Sequence, residues 1–256
     1  MEDSLEAVGF LANSANRVQV LTALVDERAT RRELQEEVDA SRSTVARILD
    51  EAGTRGWVDS EGTRYWLTPL GEAMVTDFRS YLSSVEGYQH LGDMVNKLPP
   101  PVFSLDFRHL RDAEITEPTP EDQTAPFTRA FDLFRETSDY RGLNNGSLPE
   151  HVKVLCDRFE AGRLDFEQVF EGAFLETIRA DPERKAVWDA LSDRVLLYDG
   201  TVPINVQIVD ERVLVWLGEN RGETAGLLES ENTAVLDWAE SLYEEYRAQA
   251  EPLEEL

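Results

Sequence analysis

The chain has 256 residues, of which 41% are hydrophobic and 9% aromatic, so it carries enough apolar material for a packed core and is not a disordered polymer. Its 51 Asp and Glu against 25 Lys and Arg give a formal charge of −26, which confines any contact with a polyanion to local basic clusters. A single cysteine, Cys156, excludes an internal disulfide framework, and three scattered His give no metal cluster, so neither a metal nor a cofactor is expected.

The first 68 residues read as a run of short helices closed by a hairpin. Leu5, Val8 and Ala12 share one face of a leading helix, and Val18, Leu21 and Val25 mark a second that opens at Asn13-Ser14. Thr30 stands three residues before Glu33, the spacing of a capping box, and starts a short helix burying Leu34 and Val38. Ser41 caps the next helix, which turns Val45, Ile48, Leu49 and Ala52 inward and Arg42, Ser43, Thr44 and Arg47 outward. Trp57-Val-Asp, a Ser60-Glu-Gly-Thr turn and Arg64-Tyr-Trp-Leu then read as a β-hairpin.

Two helices across a four-residue turn, the second with arginines and hydroxyls outward, followed by a hairpin, predict a winged helix-turn-helix that enters a major groove. Arginine grips guanine bidentately, and Ser and Thr bond phosphates or base edges. The expected DNA-contact set is Arg31, Arg32, Ser41, Arg42, Ser43, Thr44, Arg47 and, on the wing, Arg64. Residues 1–68 hold 8 Arg against 13 acidic residues, but the Ser41–Arg55 helix has three Arg against Asp50 and Glu51, so the positive charge is local.

Thr68-Pro69 opens a further helix, with Pro where no N–H is missed. Met74, Phe78, Tyr81, Val85, Tyr88, Leu91 and Val95 form a heptad-like seam with a phase slip near Gly92, and the seam predicts a homodimer. Pro99-Pro-Pro101 ends it. The predicted domains are therefore 1–68, a linker and dimerisation helix at 69–98, and an effector domain at 99–256.

Residues 99–256 hold 15 basic against 34 acidic residues, so DNA contact is not expected there. A strand at 102–107 and a loop at 113–126 precede alternating patterns: helices at 127–136, 149–161, 172–191 and 231–250, and strands at 140–143, 164–170, 194–198, 204–209, 212–217 and 224–228. Asp210-Glu211 predicts a hairpin turn. Asn144 and Asn145 beside Gly146, with Trp216, are the candidate ligand-binding residues, because amides and an aromatic suit a polar small-molecule effector.

The segments FLANSANRVQVLTAL, TRRELQEEVDASRSTVARILDEAGTRGWV and RYWLTPLGE closely resemble the winged-helix head of archaeal regulators, haloarchaeal ones above all. That resemblance implies double-stranded promoter DNA as a partner, bound through the helix beginning at Ser41. It agrees with the charge: only Lys97, Lys153 and Lys185 are Lys, the acids far outnumber them, and salt near 1 M shortens the screening length to about 3 Å. The segment VLVWLGENRGETAGLLESENTAVLDWAESLYEEYRAQAEPL resembles the effector domains of TrmB-like sugar-responsive proteins and of the methanogenesis filament regulators, whose fold is like that of phospholipase D. The fold class implied is α+β, a winged head, a linker helix and an α/β effector domain.

A phospholipase D-type enzyme would need His-x-Lys with a spaced Asp, and His151-Val152-Lys153 supplies the triplet. Asp157 falls one residue early and the Gly-Ser element is missing, so an enzyme is not expected. No stretch reaches the roughly 18 apolar residues of a membrane span and the first residues are acidic, which predicts a cytoplasmic chain with no membrane partner. The expectation is a DNA-binding transcription regulator; the alternative is a protein-interaction scaffold whose head has lost DNA affinity.

Overall fold

In the computed structural model the described residues are 1–218 and 224–253; residues 219–223, which carry part of the effector-domain resemblance, and 254–256 lie outside them. The chain divides into two units, Met1–Ser83 and Ser84–Leu256. The division falls eight residues before the end of a helix, not at Pro99, because the last turns of that helix are packed by residues of the second unit.

The first unit contains α1 (Glu2–Ala12), α2 (Ala15–Thr22), β1 (Ala29–Thr30), α3 (Arg31–Glu37), α4 (Arg42–Thr54), β2 (Val58–Glu61), β3 (Arg64–Leu67) and the start of α5 (Pro69–Leu91). The capping box is present: Glu33 N–H donates to Thr30 Oγ1 at 3.3 Å, and Thr30 N–H donates to Glu33 Oε2 at 2.7 Å. Val45, Ile48, Leu49 and Ala52 are all buried, as their 3.6-residue spacing requires. In α1 the inward residues are Phe10 and Leu11, while Leu5 and Val8 stay exposed, so the expected face is wrong. Phe10 wins because it meets the Trp57 ring edge-on at 5.5 Å, burying two aromatics at once.

The hairpin gains a third strand. β1 pairs antiparallel with β3, Thr30 opposite Arg64, giving the order β1-β3-β2. Thr68 then ties hairpin to helix: its hydroxyl donates to Gly56 O at 2.6 Å and accepts from Gly71 N–H at 3.1 Å. Gly71 has to be glycine, since a Cβ there would lie 2.0 Å from the Trp57 carbonyl oxygen.

The second unit is a mixed eight-stranded sheet with helices on both faces. After α5 come short 3-10 turns at Gly92–Lys97, Pro100–Ser104 and Phe107–Leu110, then β4 (Glu114–Thr116), α6 (Ala125–Glu136), β5 (Asp139–Asn144), α7 (Pro149–Glu160), β6 (Asp165–Glu171), α8 (Leu175–Arg179), α9 (Pro182–Asp189), β7 (Val195–Tyr198), β8 (Val206–Val209), β9 (Arg212–Leu217), β10 (Gly226–Ser230), α10 (Thr233–Arg247) and β11 (Glu251–Pro252). The strand order is β11-β7-β6-β5-β8-β9-β10-β4. β5, β6 and β7 run parallel through helical crossovers, whereas β8 is antiparallel to β5.

Alternation along the strands splits the core. Leu143, Val169, Val206, Ile208, Val213 and Val215 face α10 and the 3-10 turns. Tyr140, Phe166, Phe170, Val209 and Leu214 face α6, α7 and α9. Arg129 on α6 grips the buried Glu229 of β10 through Nε at 2.8 Å and Nη2 at 2.7 Å, with Arg212 on the same carboxylate at 2.5 Å.

Three expected elements differ. The strand at 102–107 is a pair of 3-10 turns, because the Pro99–Pro101 run removes ladder donors and Val102, Leu105, Phe107 and Leu110 all reach the core from turns. The loop at 113–126 contains β4, an edge strand on β10. The helix at 172–191 breaks into α8 and α9 where Asp181 caps the Pro182 turn, its Oδ1 accepting from Glu183 N–H at 3.0 Å. The Asp210-Glu211 hairpin forms without glycine: Asp210 itself takes φ +53°, and its Oδ1 accepts from Ser138 N–H at 3.0 Å and Asp139 N–H at 3.1 Å.

Candidate nucleic-acid interface and effector cavity

The turn at residues 38–41 separates α3 from α4, and Ser41 starts α4 by accepting from Thr44 N–H at 3.2 Å. Its hydroxyl also lies 2.9 Å from Ser43 Oγ and 2.8 Å from Thr44 Oγ1, so three hydroxyls cluster at the first turn, where α4 presents free N–H groups. Arg42 is exposed and pairs with no carboxylate among the described residues. Arg47 projects from the same face and pairs with Glu51 at 3.0 Å.

Glu51 is shared. Its other oxygen accepts from Arg17 Nη2 at 3.0 Å, and Arg17 in turn donates to Phe10 O at 3.0 Å and lies over the Phe10 ring. Partial burial works against the Glu51 charge, but hydrogen bonds from Arg47 and the charges of Arg17 and Arg47 outweigh it and hold the carboxyl below its usual range. Arg47 can therefore leave Glu51 for a phosphate or base without stranding a lone carboxylate. Exposed pairs of this kind are worth about 0.2–1 kcal/mol, less than the bidentate contact that would replace them.

The other expected contacts are distributed differently. Arg31 pairs with Asp50 at 3.3 Å and lies over Tyr65; Arg32 pairs with Glu36 at 2.9 Å. Arg64 is the first residue after the hairpin turn, paired with Glu61 on β2 and Thr30 on β1, and it donates to Arg28 O at 3.2 Å, which ties it to the β1 side of the sheet. Sequence reading missed Arg28, whose guanidinium stacks over Trp66 at 4.1 Å, and Arg17.

The expected dimer seam is divided by the fold. Phe78 is buried in the core of the first unit and Leu91 in that of the second, because each meets its own domain's apolar face first. Met74 packs partly against the first core, Val95 against the second, and Val85 is half-buried. Tyr81 and Tyr88 remain exposed.

In the second unit a cavity of about 490 Å³ opens at the carboxyl ends of β5 and β6, beside the point where β5 changes from a parallel to an antiparallel neighbour. Open α/β sheets hold ligands at such places. Asn144, Asn145 and Trp216 all line it, so the fold brings the three expected residues together. It adds Gln168, Gln207, Asn205, Glu171 and Phe127, none of which sequence reading selected, and His151, singled out there only as part of the His-x-Lys triplet. The available signal was a polar residue at an inward strand position, as in Phe166-Glu167-Gln168-Val169-Phe170.

The polar groups form one row. Gln168 and Gln207 both lie opposite Gly142 in register, and a Cβ on Gly142 would press within 2.7 Å of Asn144 Nδ2. Gln207 Nε2 donates to Asn144 Oδ1, Trp216 Nε1 donates to Gln207 Oε1 at 2.8 Å, and Asn144 Nδ2 reaches the Tyr140 hydroxyl at 3.4 Å. Burial pushes that phenol far up, so it stays neutral. Asn145 and Asn205 brace the rim: Asn205 Nδ2 donates to Asn145 Oδ1 at 2.9 Å, and Asn145 Nδ2 donates to Val202 O at 2.8 Å. Glu171 accepts from Val202 N–H at 2.8 Å.

His151 stands within an aromatic cage of Phe127, Phe131, Phe134 and Trp216, its Nε2 3.0 Å from Phe127 O. Burial holds its imidazole below the usual range. Lys153, the other half of the His-x-Lys triplet, is exposed and does not line the cavity. Among the described residues no cluster of His, Cys, Asp and Glu is placed to hold a metal, and no helix is long and apolar enough to cross a membrane.

The molecule thus joins a helix-turn-helix unit to a separate α/β unit with an amide-lined cavity. It is similar to transcription regulators: residues 5–90 match the family model of the HVO_A0261 N-terminal domain, and residues 124–249 match that of the middle domain of the methanogenesis regulatory protein FilR1. No curated protein matches the chain. Among solved structures, TrmBL2, an archaeal chromatin protein, is 13% identical over 96% of this chain and 98% of its own, with a TM-score of 0.40. NUC of Salmonella typhimurium, a phospholipase D family member, is 13% identical over 54% of this chain and 95% of its own (TM-score 0.40), and NucT of Helicobacter pylori 11% over 55% and 98% (TM-score 0.42). Likeness at this level carries no inference about activity.

Proposed function

We propose that the protein is a sequence-specific DNA-binding transcription regulator of archaeal, high-salt type, with a winged-helix head that reads promoter DNA and a second domain that responds to a small molecule in its cavity. The observation that carries the reading is α4: a Ser41-capped helix with an inward face fully occupied by core residues and an outward face of Arg42, Ser43, Thr44 and Arg47. The matched FilR1 domain, from a regulatory protein, supports a controlling role for the second unit. The chain acts as a homodimer, with Tyr81 and Tyr88 of α5 as the exposed apolar contacts, since two heads on two half-sites multiply specificity.

Reading the cavity as a binding site and not a catalytic one is supported by His151, which is held by the Phe127 carbonyl, and by the triplet's lysine, which is exposed. The scaffold alternative draws on the pairing of Arg31, Arg32 and Arg47 with carboxylates. Chromatin immunoprecipitation with sequencing, followed by mobility-shift titration of a recovered promoter, separates the two: a regulator shifts that promoter in preference to scrambled DNA, and a scaffold enriches none.

A further inference from the structure

We propose that the cavity's ligand is an uncharged nucleoside or nucleobase, and that Gln168 reads the edge of its base. The inference rests on the sensing role proposed above and gives it a chemical class.

Gln168 is 2% exposed, lines the cavity, and has no side-chain hydrogen-bond partner among the described residues, whereas the neighbouring Gln207 is engaged at both amide atoms, by Asn144 and Trp216. Its amide faces the cavity and not a protein partner, so a ligand that offers it both an acceptor and a donor is favoured over one that offers neither. Such an amide offers a donor and an acceptor side by side, the pattern that pairs bidentately with a base edge, as Asn and Gln do with adenine. The Ser147 hydroxyl oxygen at the same cavity is buried and unpartnered, a second polar group open to a ligand hydroxyl or ring nitrogen.

Beside the amides the lining is aromatic. Phe127 and Trp216 stack with centroids 5.2 Å apart and planes 30° from parallel, and base stacking on such rings is tolerant of which base is present. Charge then selects against nucleotides. Among the described residues no Arg or Lys lines the cavity, Glu171 is a lining carboxylate, and His151 is held neutral by burial, so a phosphate entering beside them would be desolvated without a described cation to balance it. At about 490 Å³ the space matches that of small-molecule sites generally, and Gly142 keeps the amide row flat enough for a ring to lie against it.

The test is calorimetric titration of the full chain at high KCl, without DNA, using adenosine, guanosine, cytidine, uridine and thymidine, with the matching monophosphates and glucose as contrasts. At least one nucleoside is expected to bind, its monophosphate to bind at least tenfold more weakly, and Gln168→Leu to lower nucleoside affinity about tenfold or more. Should Gln168→Leu fail to fold, by circular dichroism, Ser147→Ala gives the second reading, with a smaller loss. No binding by any nucleoside, equal binding of the monophosphate, binding of glucose alone, or unchanged affinity in the folded variants overturns the proposal. Because DNA is absent, a nucleoside that binds to a chain unable to shift promoter DNA counts against the regulator reading alone.

Discussion

Glu51 accepts from Arg47 at 3.0 Å while its second oxygen holds Arg17 at the same distance, which places a carboxylate within one turn of the residues that would meet DNA. Removing the guanidiniums should cost far more than removing the acid. Arg42→Ala or Arg47→Ala is expected to lose about 1–3 kcal/mol of specific binding if that residue grips a base. Glu51→Gln should bind DNA at least as tightly as the parent while lowering the head's melting point, because Arg17 loses its ion pair. Mobility-shift titration with parallel thermal melts reads both, and a double Arg42→Ala, Arg47→Ala variant that binds like the parent would remove α4 from the interface.

Assembly depends on which α5 residues are still exposed. Tyr81→Glu should give monomers with near-parental melting, since it places a charge in an exposed apolar contact, whereas Tyr88→Glu should also lower the melting point because its ring packs on Phe107 at 4.6 Å. Phe78→Glu should instead unfold the head, because that ring is part of its core. Light scattering at working salt, combined with circular dichroism, separates the outcomes; a parent that is monomeric at micromolar concentration ends the dimer proposal.

The Asp210 turn predicts acid sensitivity. Burial opposes its charge, and the Ser138 and Asp139 amides with the Ser138 hydroxyl outweigh it, so its carboxyl is held below the usual range. A depressed carboxyl contributes stability above the unfolded value near pH 4, and that contribution is lost as pH falls through the folded value. Asp210→Ala should cost about 1–3 kcal/mol at neutral pH, through lost hydrogen bonds and a φ of +53° that alanine disfavours, and should flatten this part of the acid limb. Urea melts of both proteins between pH 3 and pH 7 check it.

His151 predicts a second pH window of the opposite origin. Its imidazole is buried neutral, so as pH falls through the unfolded value near 6.5 the unfolded chain takes up a proton that the folded chain refuses. Stability should therefore decline by at most about 1.4 kcal/mol per pH unit until the folded imidazole also titrates. His151→Gln should remove that component. An unchanged slope in the variant would mean the cage does not hold the ring neutral.

The charge of −26 predicts an unusual salt response. Ordinary regulators lose DNA affinity steeply as salt rises, through counterion release. Here repulsion between the acidic second unit and DNA fades with screening while short-range base contacts survive. Affinity should be flat or rising from about 0.2 M to above 1 M KCl. A steep monotonic loss in protein that circular dichroism shows to be folded would make the acidity incidental to DNA recognition.

Local chemistry alone determined the head and most of the strands. Capping boxes, 3.6-residue spacing and turn residues act within a few positions, so Thr30, Ser41 and the Val45-Ile48-Leu49-Ala52 stripe were legible, as was the two-residue break at Asp210. What required the tertiary structure was every choice between competing partners. Periodicity marked Phe78 and Leu91 as apolar without saying that they belong to two different cores, and Arg64 as basic without showing that a third strand ties it to the Arg28 carbonyl. The cavity is the extreme case: Asn144, Gln168, Gln207 and Trp216 come from four strands, and only the register that sets both glutamines against Gly142 turns scattered polar residues into one row. Pairing across a sheet depends on strand order, which no local pattern encodes.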